Sequence, residues 1–208
     1  MSTAPRHLDH IVVAAPDLED AVRRIETATG VRLEQGGVHP RFGTKNYLAT
    51  FGDGTYFELI GADPENTEFS GERAFRVDEV TEPRAVAWAI EPESIEAATA
   101  AARQAGADLG APFPGSRRNP DGTLLQWRLT PPLAEPSGVI PFLLDWEGST
   151  SPAFTVQPRL SLVHLQATHP DPDYARAVLA ALGTDLAVGE GPERLTVTIE
   201  GPTGRLAL

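Results

Sequence analysis

The stretch RHLDHIVVAAPD at residues 6–17 decides the fold, because it returns at residues 160–171 as LSLVHLQATHPD. The two segments align without a gap and share a leucine, a histidine and a Pro-Asp pair at matching places. In each segment the alternating pattern predicts a strand, and the Pro-Asp pair predicts the start of a helix. Self-similarity of this kind indicates a supersecondary unit that occurs more than once in the chain.

The residues that follow the first segment complete a βαβββ unit. Apolar positions recur at helical spacing over residues 18–29, and a glycine follows where helix C-termini favour it. Three strand-like pieces come next, near residues 31–35, 46–51 and 56–60, with a Gly-Asp-Gly hairpin signal between the last two. This unit is the first of three predicted modules.

The middle of the chain carries a weaker copy of the unit, with an alanine-rich helix, and the third copy is shorter. Two connectors separate the modules. They contain several X-Pro pairs, which disfavour helix and therefore indicate connecting segments. The predicted boundaries are module one at 7–61, a connector at 62–83, module two at 84–146, a connector at 147–159 and module three at 160–208.

Composition limits the classes of partner. The net charge is −12, from 17 basic and 29 acidic residues, so we expect neither nucleic acid nor an anionic membrane as a partner. The N-terminus has no apolar signal-peptide core, which favours a cytoplasmic location. The sequence has no cysteine, so any metal must be bound by nitrogen and oxygen atoms.

Five segments together resemble the glyoxalase-like branch of the vicinal oxygen chelate superfamily, the group that also holds bleomycin resistance proteins and dioxygenases. These segments are LDHIVVAAPDLEDAV, GGVHPRFGTKN, GDGTYFELIGADP, RRNPDGTLLQWRLTPP and IPFLLDW. The resemblance covers about residues 7–147 well and the last fifty residues more loosely. It implies an α+β fold in which repeated βαβββ modules pair, so that their curved mixed sheets enclose a cleft for a small molecule.

The resemblance also implies a chemistry. Superfamily enzymes of this kind hold a divalent metal in the cleft, with a ligand on the first and the last strand of each module. Substrate oxygens chelate that metal, which polarises a carbonyl or stabilises an enolate. A glyoxalase-like enzyme of lyase, isomerase or dioxygenase type, acting on a small oxygenated substrate, is therefore one hypothesis. The other is a metal-free protein of the same fold that binds or sequesters a small aromatic or drug-like molecule.

Strand alternation predicts that His10 and Glu58 meet in this cleft. Side chains two residues apart share a face, which places His10 on one face of the first strand and Tyr56 and Glu58 on the concave face of the fourth. His10 and Glu58 match the family's ligand positions and suit Zn, Mn, Fe, Ni or Co. Glu58 is also a candidate catalytic residue that moves a proton. The other interpretation is a buried histidine hydrogen-bonded to its carboxylate partner.

The second module lacks the matching ligands. Superposing the modules places Val86 opposite His10 and Phe142 opposite Glu58, and neither apolar side chain binds a metal. Only half of the family's four-ligand set is retained. Two ligands hold a divalent ion weakly, so the hypotheses are one divalent metal completed by other groups or a cleft without a cofactor.

Loop and aromatic residues supply further candidates. His39 lies in a turn-rich segment and is a candidate general base or third ligand, or else a solvated loop histidine. Asn46 is a candidate for orienting a substrate oxygen, and Tyr56 for contacting the substrate.

Module two contributes candidate aromatic and charged side chains to the cleft. Trp88, Trp127 and Phe142 are candidate walls for a ligand, with ordinary core packing as the alternative. Arg117 and Arg118 fall between predicted strands and are candidate partners for a substrate carboxylate, with solvated loop charges as the alternative. For module three we predict that it flanks the cleft or pairs with a second subunit, which would make the protein a homodimer.

Overall fold

The structure is a computed structural model that describes residues 4–132 and 137–208. In this part of the chain it contains three α-helices and twelve strands, in the order βαβββ three times over. Eight strands close into a barrel, and the remaining four form a separate sheet. The predicted α+β fold, with curved sheets that enclose a cleft, is confirmed.

The first module opens the barrel. Its elements are β1 (Leu8–Ala14), α1 (Leu18–Thr29), β2 (Glu34–His39), β3 (Thr44–Thr50) and β4 (Tyr56–Ala62). Asp17 caps α1 by accepting a hydrogen bond from the Asp20 amide at 2.9 Å, and Gly30 ends the helix in the left-handed conformation. The second strand begins later than the pattern predicts and runs through His39, which is therefore a buried strand residue and not a loop residue.

The second module repeats the arrangement. Its elements are β5 (Arg84–Ile90), α2 (Ile95–Gln104), β6 (Phe113–Arg118), β7 (Leu124–Leu129) and β8 (Phe142–Asp145). The sequence prediction missed β6, because FPGSRR contains proline, glycine and serine, which are typical of turns. The assignment of Arg117 and Arg118 to a loop is wrong, since both residues belong to this strand.

The two modules close the barrel through two contacts between them. The strand order is β1-β4-β3-β2-β6-β7-β8-β5, so β1 pairs with β5 at one seam and β2 with β6 at the other. At the second seam the pairing is limited to Val38 and Arg118. Buried apolar side chains line both sides of the wall: an inner cluster fills the barrel, and an outer cluster lies under the helices.

A register shift near the start of β1 brings two consecutive side chains together. Leu8 pairs with Ile90 and His10 with Ala89, so Asp9 is an extra residue on β1. Such a bulge breaks the alternation of side chains. Asp9 therefore does not point away from its neighbour, and its carboxylate contacts the His10 imidazole.

A second shift on the paired strand β5 reverses the prediction for Trp88. Val12 pairs with Ala87 and Val13 with Ala85, which leaves Val86 as the extra residue. After this bulge, Trp88 packs in the outer cluster and its indole N–H donates to the Val139 carbonyl at 2.9 Å. The predicted placement of Trp88 in the cleft is corrected, because a one-residue bulge exchanges the faces of the strand.

The third module flanks the barrel. Its elements are β9 (Ser161–His169), α3 (Pro172–Ala181), β10 (Ala187–Glu190), β11 (Arg194–Gly201) and β12 (Gly204–Ala207). Its apolar face joins the outer cluster, where Ile199 and Val178 pack in the same core as Val22 and Trp88. Of the two arrangements predicted for this module, the structure has the flanking one, and homodimerisation stays a prediction. No helix in the described segments has the length and apolar character needed to cross a membrane.

Candidate active site

Inside the barrel, His10 is held between two carboxylates. Its Nδ1 atom is 2.5 Å from Asp9 Oδ1, and its Nε2 atom is 3.5 Å from Glu58 Oε2. The indole N–H of Trp146 donates to Asp9 Oδ2 at 2.8 Å and fixes the carboxylate. Because Asp9 can only accept, this network places a proton on Nδ1 and turns Nε2 toward Glu58. The predicted meeting of a strand-one imidazole and a strand-four carboxylate is what the structure shows.

Asn46 connects Glu58 to a buried arginine. Its Nδ2 donates to Glu58 Oε1 at 2.6 Å, while its Oδ1 accepts from the Gly37 amide at 2.9 Å and from Arg117 Nη1 at 3.4 Å. These contacts fix the orientation of the amide, since its nitrogen must face the carboxylate. The carboxylate of Glu58 is therefore held at Oε1 by Asn46, while its Oε2 faces His10.

Aromatic and apolar side chains form the walls around these polar groups. His10 stacks on Tyr56 with 4.6 Å between ring centroids and meets Phe142 edge-on at 5.4 Å. The cavity measures about 40 Å³. That is room for a few atoms of a small ligand and far less than a drug-sized molecule occupies. Its aromatic lining consists of Phe42, Tyr56, Phe75, Trp127, Phe142 and Trp146.

A profile of the glyoxalase-like domain family matches residues 8–183 of this chain. The chain belongs to the glyoxalase-like domain family. The match spans all eight barrel strands and part of the third module, and it confirms the resemblance to the glyoxalase-like branch of the vicinal oxygen chelate superfamily. No curated protein matches the chain.

Solved structures are similar to this chain at low sequence identity. A hypothetical protein from Staphylococcus aureus is 16% identical, with a TM-score of 0.64, over 96% of this chain and 83% of that one. A methylmalonyl-CoA epimerase variant from Streptomyces coelicolor, in complex with 2-nitronate-propionyl-CoA, is 19% identical with a TM-score of 0.46, over 72% of this chain and 100% of that one. Methylmalonyl-CoA epimerase from Mycobacterium tuberculosis is 18% identical with a TM-score of 0.40, over 69% and 89%.

The predicted substrate-contacting residues fall into two groups. Asn46, Tyr56, Trp127 and Phe142 line the cavity of this glyoxalase-like domain. Trp88 lies in the outer cluster, and Arg118 is exposed with its guanidinium donating to the Gly122 carbonyl at 2.8 Å. Alternation along β6 explains the second difference: Arg118 points outward, so its neighbour Arg117 points into the barrel.

The donor set does not fit a tightly held divalent metal. In the described ranges no group of three or more His, Asp or Glu side chains is placed to bind one ion. His10 and Glu58 are adjacent, but the residues that the sequence alignment of the two modules sets opposite them, Val86 and Phe142, are apolar. His10 Nδ1 is also engaged by Asp9, and Glu58 Oε1 by Asn46. Two ligands without a third fall short of the three or four protein ligands typical of such sites.

His39 lines the same cavity as an uncharged imidazole. Its Nδ1 atom is 3.1 Å from Thr44 Oγ1, and its ring meets Trp127 edge-on. Burial lowers the pKa of His39 from 6.5 to about 4, against the opposing influence of Glu58. At neutral pH the ring is therefore able to accept a proton but carries no charge.

This lowered pKa predicts a loss of stability in weak acid. The unfolded chain binds a proton at His39 near pH 6.5, whereas the folded chain does so only near pH 4. The free energy of unfolding therefore falls as the pH falls through that window. Between pH 7 and pH 5 we expect His39 to account for a loss of about 2 kcal/mol.

Urea unfolding at both pH values measures this loss. The His39→Asn variant should lose about 2 kcal/mol less than the wild type between pH 7 and pH 5. His164→Asn, at an exposed histidine, is the matched control and should behave as the wild type. Equal losses in the wild type and His39→Asn would show that His39 is not titrating as its burial requires.

Sequence reasoning missed several residues of the site. Asp9 was overlooked because strict alternation turns it away from His10. Arg117 was predicted as a carboxylate partner, but on a loop, because β6 resembles a turn. Trp146 carries a polar N–H on an otherwise apolar strand end, which is a usable signal for a buried hydrogen bond. Phe75 comes from the connector 62–83 and packs against Phe142, with 5.6 Å between the ring centroids. No local pattern marks it as part of the cavity.

Proposed function

We propose that this chain is a glyoxalase-like enzyme of lyase or isomerase type that moves a proton on a small oxygenated substrate. The observation that carries the proposal is the Glu58 carboxylate, which faces the His10 imidazole at 3.5 Å inside an aromatic-lined barrel. A carboxylate held beside an imidazole in an enclosed cavity is a typical arrangement for general acid–base chemistry. The family supports an enzyme of this fold, and the residues of the cavity support the reaction type.

In the proposed step, Glu58 accepts a proton from a carbon next to a substrate carbonyl. The electron pair of the broken C–H bond moves to the carbonyl and leaves an enolate oxygen. His10, oriented by Asp9, is placed to exchange the proton with Glu58, as an imidazole positioned by a carboxylate does in other enzymes. Return of the proton from Glu58 to a neighbouring atom of the enolate gives an isomer of the substrate.

Tyr56 is the donor that we assign to the enolate oxygen. Burial raises the pKa of Tyr56 well above its ordinary value, and the charges of Asp9 and Glu58 add to the effect. Its phenol therefore keeps its proton at neutral pH and is available to donate a hydrogen bond. His39 remains a second candidate proton acceptor, since burial keeps its imidazole neutral.

The size of the cavity favours this proposal over sequestration of a drug-like molecule. The aromatic lining suits an aromatic ligand, but about 40 Å³ accommodates only a small group. Four buried polar side chains, those of Asp9, His10, Asn46 and Glu58, also converge on one side of the cavity. A site that only sequesters an apolar molecule has no need of such a network, because burying polar groups costs free energy.

Exchange of carbon-bound hydrogen tests the proposal. The purified protein is incubated in D₂O with a panel of small oxo acids, ketones and aldehydes, and loss of the α-proton signal is followed by NMR. We expect at least one compound to exchange faster with protein than in buffer. We also expect the rate to be unchanged by chelator, because the described residues bring no third ligand to His10 and Glu58. Binding of panel compounds with no exchange of any of them would favour the binding protein, and loss of exchange on chelation would restore the metal hypothesis.

A further inference from the structure

Arg117 is a buried cation with an unused donor. The residue is 5% exposed, and its Nε atom has no hydrogen-bond partner within residues 4–132 and 137–208. Its Nη1 atom reaches Asn46 Oδ1 at the long distance of 3.4 Å. Within the same residues no carboxylate lies at ion-pair distance; Glu58 acts on the guanidinium from farther away. Burying a guanidinium without a paired anion is costly, so this arrangement calls for a ligand.

The position of Arg117 makes it accessible to such a ligand. Arg117 and Leu125 line both the inner cavity and an outer groove of about 540 Å³. Arg117 therefore lies between the two spaces. Glu58 lines the inner cavity as well, so a ligand bound there lies against both residues.

A glycine on the neighbouring strand leaves room for the guanidinium. A Cβ atom on Gly36 would lie 2.7 Å from Arg117 Nη1 and 2.2 Å from Asn46 Oδ1. Both distances are too short for real contacts, so any other residue at this position would displace the two side chains. Strand β2 therefore leaves space for the Arg117 guanidinium because residue 36 has no side chain.

We propose that Arg117 binds the carboxylate of the substrate, which is a small monocarboxylate. The planar guanidinium presents parallel N–H donors that match two carboxylate oxygens, and its unpartnered Nε is one of them. The proximity of Glu58 favours a singly charged group over a phosphate dianion, because a second negative charge would be repelled. This proposal rests on the proposed function for the identity of the reacting group.

Asn46 determines how far the substrate carboxylate, bound at Arg117, lies from the carbon that reacts at Glu58. It contacts Arg117 through Oδ1 and Glu58 through Nδ2, so one amide group separates the cation from the base. A substrate anchored at Arg117 would present to Glu58 a carbon only a few bonds from its carboxylate. This predicts a short oxo acid in preference to a neutral ketone.

Binding of propionate and propionamide tests the proposal without any turnover. The two probes match in size and shape and differ in charge, and the tryptophans that line the cavity report binding by fluorescence. At constant ionic strength, we expect propionate to bind the wild type about tenfold or more tightly than propionamide. Equal affinities, or the same fluorescence change with chloride alone, would overturn the assignment, and this comparison does not depend on any variant.

Variants of the two adjacent arginines sharpen the test. Arg117→Gln should remove the preference for propionate, and Arg117→Lys should keep only part of it because an ammonium lacks the planar fork. Arg118→Gln, on the exposed face of the same strand, should bind as the wild type. An equal loss in Arg118→Gln would sink the proposal. Carboxylate binding without any hydrogen exchange would instead refute only the proposed function, and exchange of neutral ketones with no carboxylate preference would refute only the role of Arg117.

Discussion

The Glu58→Gln variant is expected to exchange substrate hydrogen about 10²- to 10⁴-fold more slowly than the wild type. Glutamine retains the shape of the side chain and can still accept the hydrogen bond from Asn46. It cannot accept a proton in the catalytic step, because a neutral amide is a very weak base. The fold should survive the change, so the loss should appear in the rate and not in the yield of folded protein.

Measurement of the exchange rate at saturating substrate separates chemistry from binding. Glu68→Gln removes an exposed carboxylate from the connector and is the matched control, with a rate expected to equal that of the wild type. Propionate affinity should stay within a few-fold in both variants. If Glu58→Gln kept more than a tenth of the wild-type rate, Glu58 would not be the proton acceptor, and His39 would become the leading candidate.

Removal of the Trp88 side chain should have the largest effect on stability. Trp88 is fully buried in the outer cluster, where the barrel, the helices and the third module share one core. Trp88→Ala leaves a large cavity there and an unsatisfied Val139 carbonyl, and we expect the free energy of unfolding to fall by about 3–5 kcal/mol. Urea unfolding at pH 7 measures the change.

The Trp88→Phe variant separates packing from the hydrogen bond. It keeps an aromatic ring but loses the indole N–H that donates to Val139, so a loss of about 1–3 kcal/mol is expected. Propionate affinity should not change in either folded variant, because Trp88 lies outside the cavity. A Trp88→Ala protein of normal stability with altered ligand binding would instead place the indole in the cleft and contradict the bulge at Val86.

The modular fold was predictable because its signals are local and repeated. The Pro-Asp pairs do cap helices α1 and α3, through Asp17 and Asp171, and alternation correctly brought His10 and Glu58 together. These features depend on backbone periodicity and capping, which short segments specify by themselves.

The rest of the site depends on departures from that periodicity. A bulge adds one residue to a strand, and no residue type predicts it, so Trp88 was assigned to the wrong face and Asp9 was overlooked. Strand β6 forms although its residues resemble a turn, because pairing with β7 along its whole length outweighs weak local propensity. Only that long-range pairing distinguishes Arg117, which points into the barrel, from Arg118, which points outward.

The contact between Asp9 and Trp146 has a consequence for how this site can change. One residue stands at the first strand of the chain and the other just after the last barrel strand, yet together they orient a single imidazole. The reactivity of His10 therefore depends on how the first two modules pack against each other in the barrel. In a related protein with a wider barrel, able to bind a bulkier molecule, other contacts would be needed to orient the histidine.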